Sequence, residues 1–598
     1  HAPLAMRGLV HIGARLPPGR AGIEQHRETD HSEAGGDPRG RPLSGLRAAV
    51  GPSFLDAATG KVVCGVPGAP IANCVPFNPF LPAGSAGSGS IAADPALRDY
   101  LFHVEHDRGE TKTEAFAANL TGSLWTLPAG ELGFAVGAEH RRESGEFTPD
   151  PYAAQRLSTN QADSPTRGDY SVSELYAEFQ VPLLADLAFA RDLTLSLASR
   201  YSDYDTFGST TNNKVGLKWK PIDSLMFRAT VADGFRAPTI IDLYGGLSET
   251  AERYTDPCDV VFGSSATNQN TRANCRAELG AAADTFRQLS QAGTPVTSTN
   301  ASAAVPFFTG SNPALQPETS RSWSVGTVWS PGFLEGFNLT LDWWKVRIEN
   351  TIVSDSPQSM LNDCYVFGIA ARCGVNQGNG FTRDPVTGNV DGLRFGDTNA
   401  GHREVEGYDL DLAYRYQSSR FGSVRVVSNS TYTVSDYSTS TDLPQLPIST
   451  VGWAGNFRLR SNLKMDWDRG AFGAGWTTRY YSPMKEQCKY FTPSPSGVAP
   501  VTEPHLECDE IVYAPTGVLN PDGSPQSQLS RRRNVGSTTF HDLQFRVRTP
   551  WDATVSLGVN NVFNKVGPIM YSMPSSGYSY YGGFDTGRFL YMRYTQQF

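Results

Sequence analysis

Long segments in which apolar and polar residues alternate are the feature that most limits what this chain can fold into. Leu193, Leu195 and Leu197 alternate with polar or small residues, and segment 408–416 repeats the pattern. Successive side chains of a strand point to opposite faces, so a period of two indicates one apolar and one polar face. The segments run for about 9 to 14 residues, whereas strands of soluble proteins are mostly about 5 to 6 residues long.

The alternation, counted back from the C-terminus, predicts about fifteen strands. They lie near 102–124, 131–141, 170–182, 191–202, 212–220, 225–233, 321–329, 337–348, 403–416, 423–433, 451–462, 471–481, 539–548, 553–565 and 588–598. Short connections such as 220–224 alternate with long ones such as 234–320. Outer-membrane barrels have short periplasmic turns and long outer loops. We therefore expect an all-β fold: a large antiparallel transmembrane β-barrel with long extracellular loops.

Composition excludes several function classes. The net charge of -9 and the sequence pI of about 5.7 do not favour nucleic acid, which attracts basic surfaces. No apolar run reaches the roughly 18 residues of a membrane helix. The spacing of nucleophiles, His and carboxylates defines no catalytic site, so we predict that the protein is not an enzyme and has no metal or cofactor.

The chain divides into three parts on sequence grounds. Residues 1–50 hold four of the ten His, no apolar signal-peptide core and no regular period. We leave this part unassigned, as a disordered or non-native segment. Residues 51–101 are expected to be an extracellular loop remnant, and residues 102–598 an incomplete barrel.

The eight Cys fall into four local pairs. The pairs are Cys64/Cys74, Cys258/Cys275, Cys364/Cys373 and Cys488/Cys508. An even number in close pairs favours disulfides formed in an oxidising compartment. Zinc is the rival interpretation, but the chain has no CxxC motif and only His505 lies near a pair. All four pairs fall in predicted outer loops, which we expect to have little core of their own and to be stiffened by the disulfides.

Four motifs, in order, resemble those of the TonB-dependent receptor family. The first motif is GFRAPTIIDLY, which contains Gly234, Phe235, Arg236 and Pro238. The second is NPALQPETSRSWSVG, which contains Asn312, Pro313, Pro317 and Glu318, and the third is LGVNNVFNK, which contains Asn560, Asn561 and Phe563. The fourth is the terminal strand, which contains Tyr594 and Phe598. Ser324 stands where the family often has an acidic residue, and Gln596 where it usually has an apolar one. The resemblance extends from about Ser53 to Phe598.

The resemblance implies a barrel of about 22 strands with a plugged lumen, of which about fifteen strands and no plug domain are present. It implies the outer membrane of a Gram-negative bacterium, contact with its lipid and lipopolysaccharide, and barrel-assembly machinery that recognises Phe598 and Tyr594. It also implies energised uptake of a scarce, large ligand. That ligand would be a siderophore, haem, a cobalamin or an oligosaccharide, and TonB with its inner-membrane complex would act through the missing plug. On this basis the chain alone is not expected to transport.

Other interpretations stay open at this point. A passive porin-like channel, typically of about 16 to 18 strands, and a surface-binding barrel are both alternatives. Four tyrosines in the last outer loop are candidate ligand contacts through stacking, or else part of an aromatic girdle. They are Tyr571, Tyr578, Tyr580 and Tyr581. The run Arg531–Arg533 could attract an anionic ligand or lipopolysaccharide, or could be a solvated loop.

Overall fold

The computed structural model describes twelve segments of the chain. They are residues 8–14, 44–81, 89–91, 93–102, 104–155, 162–250, 252–376, 379–439, 448–487, 509–519, 525–568 and 587–596. In these segments no helix has both the length and the apolar character needed to cross a membrane.

Strands dominate the described segments. In chain order they are β1 (Gly8–Ala14), β2 (Ser53–Asp56), β3 (Lys61–Val66), β4 (Ala69–Pro70), β5 (Arg108–Leu127), β6 (Gly130–Thr148), β7 (Thr166–Leu187), β8 (Ala190–Tyr204), β9 (Gly208–Ile222), β10 (Leu225–Arg236), β11 (Ser248–Thr250), β12 (Arg253–Tyr254), β13 (Ala301–Ser302), β14 (Phe307–Gly310), β15 (Glu318–Trp329), β16 (Phe337–Glu349), β17 (Ile352–Ser354), β18 (Val375–Asn376), β19 (Asn379–Arg383), β20 (Val390–Asn399), β21 (His402–Ser418), β22 (Gly422–Ser438), β23 (Leu459–Arg469), β24 (Phe472–Tyr481), β25 (Met484–Gln487), β26 (Glu510–Leu519), β27 (Pro525–Val535), β28 (Thr538–Arg548), β29 (Ala553–Asn560) and β30 (Phe589–Gln596). The α-helices are α1 (Ser44–Ala49), α2 (Pro95–Leu101), α3 (Pro151–Ala154), α4 (Ile240–Tyr244), α5 (Gln269–Leu279) and α6 (Pro357–Leu361).

One antiparallel sheet of sixteen strands forms the body of the molecule. Its order is β1-β5-β6-β7-β8-β9-β10-β15-β16-β21-β22-β23-β24-β28-β29-β30. From β5 onward each strand pairs with the next strand of the sheet along the chain. The strand length reaches 22 residues in β7. The fifteen strands from β5 to β30 confirm the predicted number.

The two faces of this sheet have opposite character, as the alternation predicted. Leu175, Leu341 and Leu557 lie on one face and are 61%, 46% and 56% exposed. At the short-turn end of that face Trp329 contacts Phe333 and Phe337 edge to face. A continuous exposed apolar band is abnormal for a soluble surface and is typical of the lipid face of a barrel.

The structure corrects three predicted strand boundaries. The strand predicted at 451–462 lies at Leu459–Arg469 instead. The strand predicted at 102–124 begins at Arg108, six residues after the helix α2 (Pro95–Leu101), whose N-cap is Asp94, comes to its C-cap at Phe102. The strand predicted at 553–565 ends at Asn560, because Asn561 adopts a φ of 50° and turns the chain.

The connection from β10 to β15 and the connection from β16 to β21 fold together into one unit, which we call the loop module (residues 237–317 and 350–401). Its six-stranded sheet has the order β11-β14-β20-β19-β18, with β17 also on β20. The parallel pairing of β14 with β20 joins the two connections. Gly310 and Gly396 make this possible, since a Cβ on Gly396 would lie 2.1 Å from the Gly310 carbonyl oxygen.

The loop module has the largest apolar cluster of the described residues, which corrects the expectation that these loops have little core. Both connections contribute to the cluster. Phe307, Leu361 and Leu393 are all fully buried within it. Two smaller units lie elsewhere in the chain: the hairpin β2–β4 beside α1 and α2, and the three-stranded sheet β25-β27-β26.

Candidate functional site

The polar face of the large sheet is organised into cross-strand rows in which a glycine separates two polar side chains. Arg228, Gly326 and Asp342 form one row across β10, β15 and β16. Arg228 donates two hydrogen bonds to the Asp342 carboxylate, at 2.9 and 2.5 Å. A Cβ on Gly326 would lie 1.7 Å from Asp342 Oδ1. The glycine therefore leaves the space through which the ion pair crosses its strand.

Three further rows repeat this arrangement. Their glycines are Gly137, Gly473 and Gly558, each with a Cβ position under 3.0 Å from a flanking side chain. Across Gly137 the Tyr176 hydroxyl donates to Asn119 at 2.7 Å. Across Gly558 the Gln544 amide donates to the Tyr591 hydroxyl at 3.0 Å. The sequence analysis missed these rows, although isolated glycines inside predicted strands are a signal of close approach.

Ion pairs line the polar face within and between these rows. Arg200 on β8 donates to both oxygens of Glu174 on β7, at 3.2 and 2.7 Å. Arg546 on β28 reaches Asp466 at 2.9 Å and Asp468 at 3.2 Å. Water or a polar partner must cover such a surface, because charged groups are costly to bury without solvation. This face therefore has the chemistry of a hydrated lumen.

The first two sequence motifs meet at the long-loop end of the sheet. Arg236 at the end of β10 forms a two-point ion pair with Glu318 at the start of β15, at 2.7 and 2.9 Å. Glu318 also accepts a hydrogen bond from the Ile352 backbone at 2.7 Å. Gly234 lies beside Ser320, whose Oγ would be 2.8 Å from an added Cβ. One carboxylate thus links β10, β15 and the second connection of the loop module.

The remaining residues of these motifs fix the entrance to the loop module. Thr239 and Asp242 form a capping box at the start of α4, directly after the buried Pro238. The Asn312 backbone donates to the Asp242 carbonyl at 2.8 Å, and its side-chain amide donates to the Asp397 carbonyl at 3.1 Å. Phe235 packs edge to face on Tyr204. Pro313 and Pro317 flank the turn that leads into β15.

The centre of the loop module contains a buried ion pair. Arg383 donates to both oxygens of Asp256, at 2.8 and 3.0 Å. The guanidinium lies over the rings of Tyr365 and Phe286, 4.8 and 5.3 Å from their centroids, and the Tyr365 hydroxyl donates to Glu278. Separating a buried ion pair leaves an uncompensated charge, which is costly. The pair therefore opposes any movement that would part the two connections of the loop module.

Three of the four predicted disulfides are present. They are Cys64–Cys74, Cys258–Cys275 and Cys364–Cys373. The second and third lie in the loop module, and Cys258, Cys275 and Cys364 belong to its apolar cluster. Cys488 and Cys508 lie outside the described residues. No group of three or more His, Cys, Asp or Glu side chains in the described segments is placed to hold a metal ion.

A polar cavity of about 170 Å³ opens in the loop module near Asn312. Arg372 lines it and contacts Asp355 and Asp363. Burial raises the pKa of the Asp363 carboxyl, although Arg372 offsets part of this effect. Burial also raises the pKa of Asp397, and the nearby Asp242 carboxylate raises it further. Sites for drug-sized ligands have about 300–1,000 Å³, so this cavity is too small to enclose a large chelate.

The other predicted site residues lie in three places. Asn561 closes a turn by accepting from Lys565 N at 2.8 Å and donating to Lys565 O at 2.7 Å. Phe563 in that turn is exposed and touches His541. Tyr594 on β30 is exposed on the apolar face, and its hydroxyl donates to Gln596 at 2.8 Å. Phe598 and the four candidate tyrosines (Tyr571, Tyr578, Tyr580 and Tyr581) lie outside the described residues.

Comparison with known families agrees with this architecture. A family model described as "TonB dependent receptor-like, beta-barrel" matches residues 77–562. The chain belongs to this family. Its large sheet is therefore an outer-membrane β-barrel of a Gram-negative bacterium, with the apolar face toward lipid, the polar face toward the lumen and the loop module outside the cell.

Two solved receptor structures are similar to this chain. The siderophore receptor PirA from Acinetobacter baumannii is 15% identical, with a TM-score of 0.50, over 86% of this chain and 57% of that chain. The ferripyoverdine receptor of the outer membrane of Pseudomonas aeruginosa, bound to ferripyoverdine, is 13% identical, with a TM-score of 0.44, over 82% of this chain and 48% of that chain. The chain thus spans a little over half of the PirA chain, and at this identity the similarity shows the fold. No curated protein matches the chain.

Two sets of contacts at the outer end of the barrel involve residues that the sequence singled out. The Arg236–Glu318 pair joins the first two motifs at the outer rim, where the long loops leave the barrel. Arg532, in the arginine run of β27, lies over the Trp453 ring at 5.3 Å, and Arg533 pairs with the buried Glu486. These two arginines are engaged within the outer loops, whereas the run was expected to be solvated or free for an anion.

Proposed function

We propose that this protein is a receptor that takes up a ferric siderophore across the outer membrane with energy supplied through TonB. The observation that most supports this proposal is the prefolded loop module at the outer end of a sheet whose polar face is charged. A prefolded surface binds a ligand without losing the entropy of ordering its loops. The similar solved structures are named as siderophore receptors, which favours an iron chelate over haem, a cobalamin or an oligosaccharide as the ligand.

In this proposal the parts of the chain have distinct tasks. The loop module would hold ligand at the outer end of the lumen, where the Arg236–Glu318 pair fixes its base to the rim. The charged rows of the lumen would keep the path below hydrated. TonB, with its inner-membrane complex, would supply the work of opening that path.

The proposal is tested by deleting the gene and restoring it as the intact locus. Uptake of iron-55 from a panel of catecholate, hydroxamate and mixed-type ferric siderophores would be measured, with haem and cyanocobalamin as comparisons. We expect loss of uptake for one siderophore class, recovery on complementation, and abolition by a protonophore. Unchanged uptake of every ferric chelate after deletion would overturn the proposal.

The same cells separate energised uptake from passive entry. Uptake that persists in a strain lacking TonB, together with steady conductance of the purified chain in liposomes, would identify a passive channel. Cell-surface binding of a siderophore with no accumulation in energised cells would identify a surface-binding barrel. Either result replaces the proposed function.

A further inference from the structure

The loop module carries more than half of the net negative charge of the chain. Its two segments contain twelve Asp or Glu and seven Arg, with neither Lys nor His, so their net charge is -5. The whole chain of 598 residues has a net charge of -9. An excess of one sign creates a field that attracts ligands of the opposite sign and repels those of the same sign.

Most arginines of the module are already bound within it. Five of the seven have acceptors there: Arg272 on the Ser265 carbonyl, Arg276 on Asp284, Arg287 on Asp259, Arg372 on Asp355 and Asp363, and Arg383 on Asp256. Arg253 and Arg394 are exposed, and neither has an ion-pair partner among the described residues. Of the guanidinium groups that the structure describes in the module, these two are the ones available to an anionic ligand.

Helix α4 brings one carboxylate of the module to the mouth of the lumen. A Cβ on Gly168 would lie 2.1 Å from Tyr244 of α4. Gly168 lies eight positions from Tyr176 on β7, so it shares the lumen face of the Gly137 row. Helix α4 therefore packs on the lumen face at the outer end of β7, and Asp242 in its first turn lies at the lumen mouth.

Carboxylates outnumber cations at this base of the module. Burial raises the pKa of Asp397, and the neighbouring Asp242 carboxylate raises it further, as expected where negative groups are crowded. Asp397 is the cross-strand partner of Ser354, which precedes Asp355 in the chain. The base contains five carboxylates and two guanidinium groups, namely Asp242, Glu318, Asp355, Asp363 and Asp397 with Arg236 and Arg372. Both arginines are already paired with carboxylates of this set.

We infer that the ferric siderophore taken up by this protein is a trihydroxamate complex with a net positive charge, which rests on the proposed function. Each hydroxamate is a monoanion, so three of them leave the ferric complex neutral, and a free amine on the chelator makes it a cation. A ferric tris-catecholate is a trianion, because each catecholate is a dianion. Like charges brought together at a binding surface disfavour binding. The acidic base of the module therefore selects for the cation and against the trianion.

The first test uses three ferric complexes of one linear trihydroxamate, whose terminal amine is left free, acetylated or succinylated. The three share one iron-binding core and differ in charge, as a cation, a neutral complex and an anion. Initial rates of iron-55 uptake would be measured at low ionic strength in cells with the intact locus and in the deletion strain. We expect the receptor-dependent rate to be about tenfold higher for the cation than for the anion, with the neutral complex between them. The difference should shrink in about 0.5 M salt, because salt screens exposed charges.

The variant D242N/D397N removes two charges from the base and keeps the size of both side chains. An asparagine oxygen at position 242 can still accept the hydrogen bond from the Thr239 backbone that caps α4. We expect the ratio of the cation rate to the anion rate to fall about threefold. D186N/D223N is the matched control, because its two carboxylates are 90% and 77% exposed beside the short turns after β7 and β9, at the opposite end of the barrel. The control should leave the ratio unchanged, and immunoblotting of outer membranes would show that all variants are present in equal amounts.

Each remaining outcome counts against one of the two proposals. Equal rates for the three complexes, a faster rate for the anion, an unchanged ratio in D242N/D397N or an equal fall in the control would overturn the assignment of a cationic ligand. Receptor-dependent uptake of a tris-catecholate or any other ferric chelate, without uptake of the cationic trihydroxamate, would also overturn it and would leave the proposed function standing. A deletion strain that takes up every ferric chelate at the parental rate would instead overturn the proposed function.

Discussion

Single glycines set the pattern of side-chain contacts in the lumen. In each of the four rows a glycine on one strand lets polar side chains on the two flanking strands meet, as Gly326 does for Arg228 and Asp342. A strand interior normally disfavours glycine because it packs no side chain and costs entropy. Here the cost is offset by a hydrogen bond or ion pair that spans three strands.

A methyl group at Gly326 should therefore break its row. In G326A the added Cβ would overlap Asp342 Oδ1, 1.7 Å away, so Asp342 must move from Arg228 or the strands must part. We expect a loss of about 1–3 kcal/mol in the free energy of unfolding, as for other overpacked sites. Guanidinium unfolding in detergent micelles, followed by tryptophan fluorescence, measures it.

Gly332 provides the matched control for this substitution. It lies in the short turn after β15, and a Cβ there meets nothing within 4 Å. G332A should leave stability unchanged or raise it slightly, because alanine restricts the unfolded chain. Equal free energies of unfolding for G326A and G332A would show that the lumen row accommodates the added methyl group without loss of stability.

At the scale of elements, alternation predicted strands well and loops poorly. All fifteen predicted barrel strands exist because each keeps its period of two on the lipid face. The error at 451–462 has a physical cause: Lys464, Asp466 and Asp468 resemble a polar turn but face the lumen, and Met465 between them faces lipid. Charged side chains that face the lumen therefore make a strand resemble a polar turn when the sequence is judged by polarity alone.

The loop module could not be predicted from local sequence. Its key pairing joins β14 and β20, which are distant in the chain, and its core residues follow no fixed period. The Arg383–Asp256 pair likewise links the two connections across 127 positions. The paired Cys were the one local signal, and they located the module without showing that it has a core.

Removing one disulfide should loosen the loop module and leave the barrel folded. The Cys258–Cys275 bond closes a loop with a sequence separation of 17, for which chain entropy predicts about 3 kcal/mol. In C258S/C275S we expect faster hydrogen exchange in α5 and β20 with unchanged exchange in β15 and β16. The variant C64S/C74S removes a disulfide outside the module and should spare α5. Protection of α5 that survives in C258S/C275S would mean that apolar packing alone holds the module.

At the scale of the whole molecule, the orientation of the sheet in the membrane follows from the order of side chains along one strand. The lipid face of β16 begins with Phe337 near the short turns, continues through Leu339 and Leu341, and reaches the charged Lys345 after Trp343. Lys345 pairs with Glu404 at 2.7 Å, which marks the end of the apolar band. Leu341 therefore lies well inside the membrane.

The free energy of unfolding should then fall by very different amounts when arginine replaces one or the other of two adjacent residues on β16. Arg at Leu341 would face lipid inside the membrane, where an arginine costs about 2–4 kcal/mol at the midplane of a barrel. Arg at Thr340 would face the lumen beside Asp411, its register partner on β21, and should cost much less. Unfolding titrations of L341R and T340R in lipid vesicles measure both values. Equal destabilisation by the two variants would mean that both faces of β16 meet the same environment, which a membrane barrel with a hydrated lumen does not allow.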